Sequence, residues 1–181
     1  MRFSGFPTAA FEFYERLGAD NTRPFWQANK TTYTSAVREP LDALLAELDE
    51  FGPFHVFRPY KDVRFSNDKI PYKDHQGAYG ESEGGAGFYV QISAGGLMAA
   101  TGYYAMANDQ LVRFRAAVDQ PAQGSEIDSI VAGLVRAGYG VGAIGELKTA
   151  PRGYPRDHRT RERASRGRLA HVNRGCLGHF F

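Results

Sequence analysis

Apolar residues recur at three- and four-residue steps along much of the chain, which predicts a series of amphipathic helices. In the first, Phe11, Tyr14 and Leu17 share a side; Phe6-Pro7-Thr8 reads as the entry, with Thr8 as cap, and Gly18 as the stop. A second start is expected at Asn21-Thr22, where Pro24 falls in the first turn and is tolerated. Phe25, Trp26, Asn29, Lys30 and Tyr33 then lie on one helix face. Core packing with a polar fringe explains that face; so would a pocket lined by Asn29 and Lys30. Pro40 marks a third start, ahead of the stripe Leu41, Leu44, Leu45, Leu48 and Phe51, and Gly52-Pro53 ends it.

The period then changes. Residues 55–57 are apolar enough for a short strand, and residues 58–87 lose periodicity and gain glycine, which predicts a long loop with a strand fragment at 63–65. Phe88, Val90, Ile92 and Ala94 alternate with Tyr89, Gln91 and Ser93, as a half-buried strand does. Gly95-Gly96 supplies a turn, and residues 97–106 are expected to return antiparallel. Helical patterns resume at Asn108, with Leu111, Phe114 and Val118 inward, and near Ser125, whose spacing to Asp128 resembles a capping box. Ile127, Ile130, Val131, Leu134 and Val135 form the expected buried side of that last helix, Gly138 ends it, and residues 141–144 suit a strand. The pattern as a whole predicts a single-domain α+β fold, with helices packed on a small, mainly antiparallel sheet. It places one globular domain at residues 1–158 and a basic tail at 159–181, helical over 159–169 and loose thereafter.

Composition narrows the class. At 181 residues and 43% hydrophobic, the chain can bury a proper core. No apolar run is long enough for a membrane span, the N-terminus lacks a signal-peptide core, and Cys176 is the one cysteine. A cytoplasmic protein without disulfide, metal site or cofactor is the expectation; the pattern fixes no oligomeric state. The net charge of +2 hides an asymmetry: nine of the 22 Lys/Arg lie between Lys148 and Arg174, against Asp157 and Glu162 alone. Charge by itself would let that tail attract nucleic acid or an acidic partner, whereas a chain-wide nucleic-acid face is not indicated.

Candidate chemistry concentrates in residues 55–76, HVFRPYKDVRFSNDKIPYKDHQ. Arg58, Lys61, Arg64, Lys69 and Lys73 outnumber Asp62, Asp68 and Asp74, with Phe57, Tyr60, Phe65 and Tyr72 threaded between them. Converging donors of this kind suit a phosphate, sulfate or carboxylate. Asp62, on the same face as Arg64 if the backbone is extended, would orient it, and Asp68 would do the same for its neighbours. Tyr72 beside Lys73, and His75, are the candidates for proton transfer, since a nearby cation lowers a phenol's pKa and His titrates near neutrality. Arg152, held in Pro151-Arg152-Gly153-Tyr154, is a further anion binder. Gly84-Gly85-x-Gly87 precedes a strand instead of linking strand to helix, so it is not a phosphate loop.

The order Arg58, Lys61, Asp62, Arg64, Phe65, then Asp68, Lys69 and Tyr72, resembles the Arg-x-x-Arg-Asp-x-Arg-Phe run and following acidic-Lys pair and Tyr of the DUF2461 family of bacterial proteins. Lys61 stands at the second Arg of that run, keeping the charge and losing the planar fork. The likeness extends from about residue 3 to about residue 158, through Phe25-Trp26, Asn29-Lys30 and Tyr33. It implies one intact domain and brings no mechanism with it. Three uses of the stretch stay open. It is an anion cleft walled by Arg58, Arg64, Lys69 and Tyr72, whether binding or catalytic; a charged surface for a protein or nucleic-acid partner; or a structural Arg–Asp–Tyr network.

Overall fold

The computed structural model describes residues 2–64, 69–81, 85–103, 106–143 and 170–177, with Ala143 and the last of these stretches as backbone alone. It is an α+β fold, as the pattern predicts. The chain divides into two compact units: Met1–Ser82, Phe88–Ala99 and Cys176–Phe181 in one, Glu83–Gly87 and Ala100–Gly175 in the other. The first holds helices α1 (Thr8–Ala19), α2 (Arg23–Thr32) and α3 (Glu39–Glu47) with strands β1 (Phe54–Val56), β2 (His75–Glu81), β3 (Gly87–Ser93) and the start of β4 (Gly96–Gly102). These strands neighbour one another in chain order, and β1 runs antiparallel to β2. The second holds α4 (Asn108–Asp119), α5 (Pro121–Arg136) and β5 (Tyr139–Ala143), with β5 antiparallel to most of β6 (Ala170–Leu177).

Burial of helix stripes drives the first unit, with Phe13 inward and the expected Phe11 only half-buried. Ala10, Phe13, Tyr14 and Leu17 of α1 pack with Trp26, Tyr33, Ala36 and Val37, while Leu41 and Leu45 of α3 meet Ala78 of β2 and Val90 of β3. The entry to α2 follows the sequence: Thr22 Oγ1 accepts from the Phe25 N–H at 3.3 Å, with Pro24 in the first turn. Pro40 behaves otherwise. It begins no new helix; residues 33–38 form a π-helical segment that joins α2 to α3 without a break. The Glu39 N–H reaches back five residues to the Thr34 carbonyl. This wider turn carries the helix past a residue whose ring and missing N–H would otherwise end it.

Other expectations are corrected. Residues 75–81 are a strand, not loop, because tertiary pairing overrides their poor strand propensity. Gly77 and Gly80 there leave space for rings, since a Cβ on Gly77 would lie 2.6 Å from Tyr89 Oη and one on Gly80 3.1 Å from the Phe54 ring. The fragment predicted at 63–65 is not extended as far as Arg64, and Phe65 lies outside the described residues. Helix α5 starts at Pro121, so Ser125 and Asp128 lie in its interior and not at its start; Ile130 and Val135 on it are exposed, not buried. The loose end expected after residue 169 is strand through Leu177, while the helix expected at 159–169 lies outside the described residues. Among the described residues, no helix is long and apolar enough to cross a membrane.

One polar side chain sits inside this core. Gln76 is 1% exposed. Its Oε1 accepts from Tyr33 Oη at 2.6 Å, and its Nε2 donates to the carbonyls of Phe57 at 2.6 Å and Gly77 at 3.0 Å. Tyr33→Phe strands the amide oxygen without its donor, which costs about 1–3 kcal/mol. Chemical denaturation checks this, and an unchanged midpoint would show that the hydroxyl bond carries no stability.

Candidate functional site

The long basic stretch folds back on itself as an irregular hairpin. Val56 pairs with Ala78, and Tyr60 bridges Tyr72, so four steps along one side match six along the other. The Phe57 N–H donates to the Gly77 carbonyl and the Lys73 N–H to the Pro59 carbonyl, at 3.0 and 2.8 Å. Asp74, His75 and Gln76 therefore lie opposite Arg58 alone. This is a β-bulge with two extra residues, a device that re-aims side chains and is frequent beside active sites. The Gln76 amide fills the interrupted ladder by bonding the Phe57 carbonyl. Beyond the bulge the hairpin resumes, with the Lys61 N–H on the Pro71 carbonyl at 2.9 Å.

The bulge presents an acid–base pair. Asp74 Oδ1 lies 2.7 Å from His75 Nδ1. A carboxylate there favours the proton on Nδ1 and leaves Nε2 as the proton-accepting atom. His75 holds the Asp74 carboxyl below its usual range through that bond, and Lys61 adds to the effect. Lys73 rests over the Phe57 ring, its Nζ 5.2 Å from the centroid, and burial together with Arg58 pushes its pKa down. Arg58 and Lys73 are thus near enough for the one to act on the other.

Behind the hairpin lies an aromatic stack. Tyr72 and Trp26 rings are parallel to within 8° with centroids 4.4 Å apart, and both residues are 4% exposed. Asn21 fastens the strand to the entry of α2: its Nδ2 donates to the Tyr72 carbonyl and its Oδ1 accepts the Tyr72 N–H, each at 3.1 Å. Tyr72 is consequently a packed anchor. Burial raises its phenol pKa, Tyr60 adds to this and Arg23 works against it. The lowering expected for this phenol is not found, because Lys73 turns to Phe57 and desolvation outweighs the remaining cation. Burial likewise raises Tyr33, with Arg38 pulling down; the π-helical spacing aligns these two residues.

The remaining candidates separate. Arg64 Nε and Nη2 donate to Asp62 at 3.0 and 2.7 Å, and the fork bond draws the Asp62 carboxyl down. Lys69 Nζ donates to the Val63 carbonyl at 3.2 Å. Both cations belong to the hairpin tip. Asp68 and Arg152 lie outside the described residues. On α2, Asn29 bonds the Phe25 carbonyl of its own helix at 2.8 Å and Lys30 is exposed, so that face is core with a polar fringe. Gln76, Tyr33 and Asp74 were not assigned roles from sequence; pairing of β1 with β2 is what assembles them. Among the described residues, no group of three His, Cys, Asp or Glu side chains is placed to hold a metal ion.

The profile of a family described as conserved hypothetical protein (DUF2461) matches residues 9–174. The chain belongs to the DUF2461 family. The match runs beyond residue 158, where the likeness read from sequence was placed, and takes in most of β6. No curated protein and no solved structure matches this DUF2461 chain.

Asp74 makes stability depend on acid in a definite direction. Its pKa is lowered by folding, so its contribution is present above the ordinary carboxylate value of about 4 and is lost as pH falls through the lowered one. Asp74→Asn is expected to melt below the wild type at about pH 7, with the two converging as pH falls through the lowered carboxyl pKa. A gap that stays constant across that window would contradict the assignment. Gly77→Ala is expected to cost about 1–3 kcal/mol by overpacking against Tyr89, checked by denaturant titration.

Proposed function

We propose that the bulge is the binding site for a small anion and that His75 moves a proton on it. The observation that carries this is the placement of Asp74, His75 and Gln76 opposite Arg58. Arg58, Lys61 and Lys73 supply positive charge around the pair, and Arg provides two donors in fixed geometry for a phosphate or carboxylate. Asp74 sets the tautomer, which leaves Nε2 as the atom that takes the proton. Gln76 and Tyr33 keep the backbone at this point in place. Arg64 and Lys69, engaged with Asp62 and the Val63 carbonyl, add to the field without direct contact.

The competing use is structural, and the Asp62–Arg64 fork favours it at the hairpin tip. The two separate by mutation. Melting curves at low ionic strength with phosphate, sulfate and a mononucleotide are expected to rise, by about 2.7 kcal/mol of stabilisation at a hundredfold excess over Kd. Arg58→Ala and Lys73→Met are expected to abolish that rise while melting close to the wild type without ligand. If no anion stabilises the wild type, or if Arg58→Ala unfolds the protein and Lys73→Met leaves the anion effect intact, the proposal fails.

A further inference from the structure

Trp26 Nε1 is buried and has no hydrogen-bond partner, the one side-chain polar atom of which this holds among the described residues. Leaving such a donor unpaired costs about 1–3 kcal/mol, and core indoles ordinarily find an acceptor. The residue itself is tightly held, by Tyr72 on one face and the Phe13 ring edge-on at 5.8 Å. Its remaining aromatic neighbours differ in how they are fixed. Tyr33 is buried and bonded to Gln76. Tyr60 is 46% exposed, and its ring is tilted 55° to Trp26 at 5.9 Å and 46° to Tyr72 at 5.3 Å. A tilted, half-open ring against a parallel stack is the member of the cluster that can give way.

Two arginines lie near this ring, while Asp62, two residues beyond it, is taken up by Arg64. Arg58 precedes Tyr60 by two residues and lies opposite the bulge, and the Arg23 guanidinium reaches the Tyr72 phenol electrostatically. The nearby phenols do not supply negative charge. Tyr33 and Tyr72 are both raised by burial and stay neutral hydrogen-bond donors.

From these observations we infer that the site selects anions with a flat, unsaturated body, such as aryl carboxylates. The ring of the ligand packs on Tyr60, one of its oxygens accepts the Trp26 indole N–H, and its charge faces Arg58. This rests on the anion-site reading above and narrows it to a substrate class. The orphan donor gains its acceptor only when such a ligand is bound, which makes the interaction selective: a site with a buried donor discriminates against molecules that cannot pair with it.

Trp26 is the only tryptophan in the chain, so its emission and its indole N–H proton resonance report on this site without labelling ambiguity. Benzoate and cyclohexanecarboxylate share charge and size and differ in flatness, which makes them the probes. Benzoate is expected to change Trp26 emission saturably, to move the indole resonance downfield, and to bind about tenfold tighter than cyclohexanecarboxylate. Tyr60→Leu, which retains apolar bulk, is expected to remove most of that preference while leaving the melting shift with inorganic phosphate in place. Equal affinity for the two probes in the wild type overturns the inference, whatever the folding of the variant. So does an indole resonance that does not move at saturating benzoate. If the probes bind equally while phosphate still stabilises through Arg58, only the flat-ligand inference is lost; if neither carboxylate nor phosphate has any effect, the anion site falls with it.

Discussion

A single primary amide closes the opening that two surplus residues make in the β1–β2 ladder. The Gln76 side chain bonds the Phe57 carbonyl across the gap and takes the Tyr33 hydroxyl from the helical layer. Being almost fully buried, it cannot exchange these partners for water, so each bond is worth more than it would be at the surface. The geometry of the bulge follows from it. With the amide in place, the hairpin continues to Tyr60 and Tyr72, and Asp74 and His75 fall opposite Arg58 in the register.

Two layers of the first unit meet at that amide, and each is shaped to reach it. The π-helical segment keeps the helix continuous through Pro40 and brings Tyr33 onto the sheet, with Arg38 acting on the same phenol. On the sheet side, Gly77 lets Tyr89 lie across the strand, where Tyr89 Oη donates to Gln91 at 2.7 Å. A bulge, a π turn and a glycine under a ring each weaken regular structure locally. Their coincidence around one buried amide is the kind of local conflict that folds tolerate chiefly at functional positions.

Charge on the hairpin is divided between two tasks. At the tip, Asp62 and Arg64 neutralise one another in an exposed fork, and Lys69 ties back to the Val63 carbonyl. At the base, burial and the nearby Arg58 oppose protonation of Lys73, next to an aspartate already engaged by a histidine. Counting basic residues cannot separate these cases, since both contribute alike to the sum. What differs is the partner: Arg64 is forked on Asp62, whereas Lys73 rests over the Phe57 ring.

The inward side chains Tyr14, Leu17, Leu41 and Leu45, the Thr22 cap, the alternation through Val90 and Ile92, and the location of the basic–aromatic stretch were legible in the sequence, because each depends on contacts between residues a few positions apart. Strand β2 was not, for its glycines suit a strand only once Tyr89 and Phe54 lie over them. Nor was the continuity of the helix across Pro40, which the π turn permits. The roles of Tyr72 and Gln76 were likewise beyond local reading: Tyr72 became an anchor on meeting Trp26, 46 positions earlier, and Gln76 became a core residue on meeting Tyr33, 43 positions away. Sequence determined which side chains were on hand and roughly where; the pairing register of β1 with β2 decided which of them face one another. That register is a long-range property, set by burial of one sheet face and by the bonds that close a bulge, and no short window of sequence contains it.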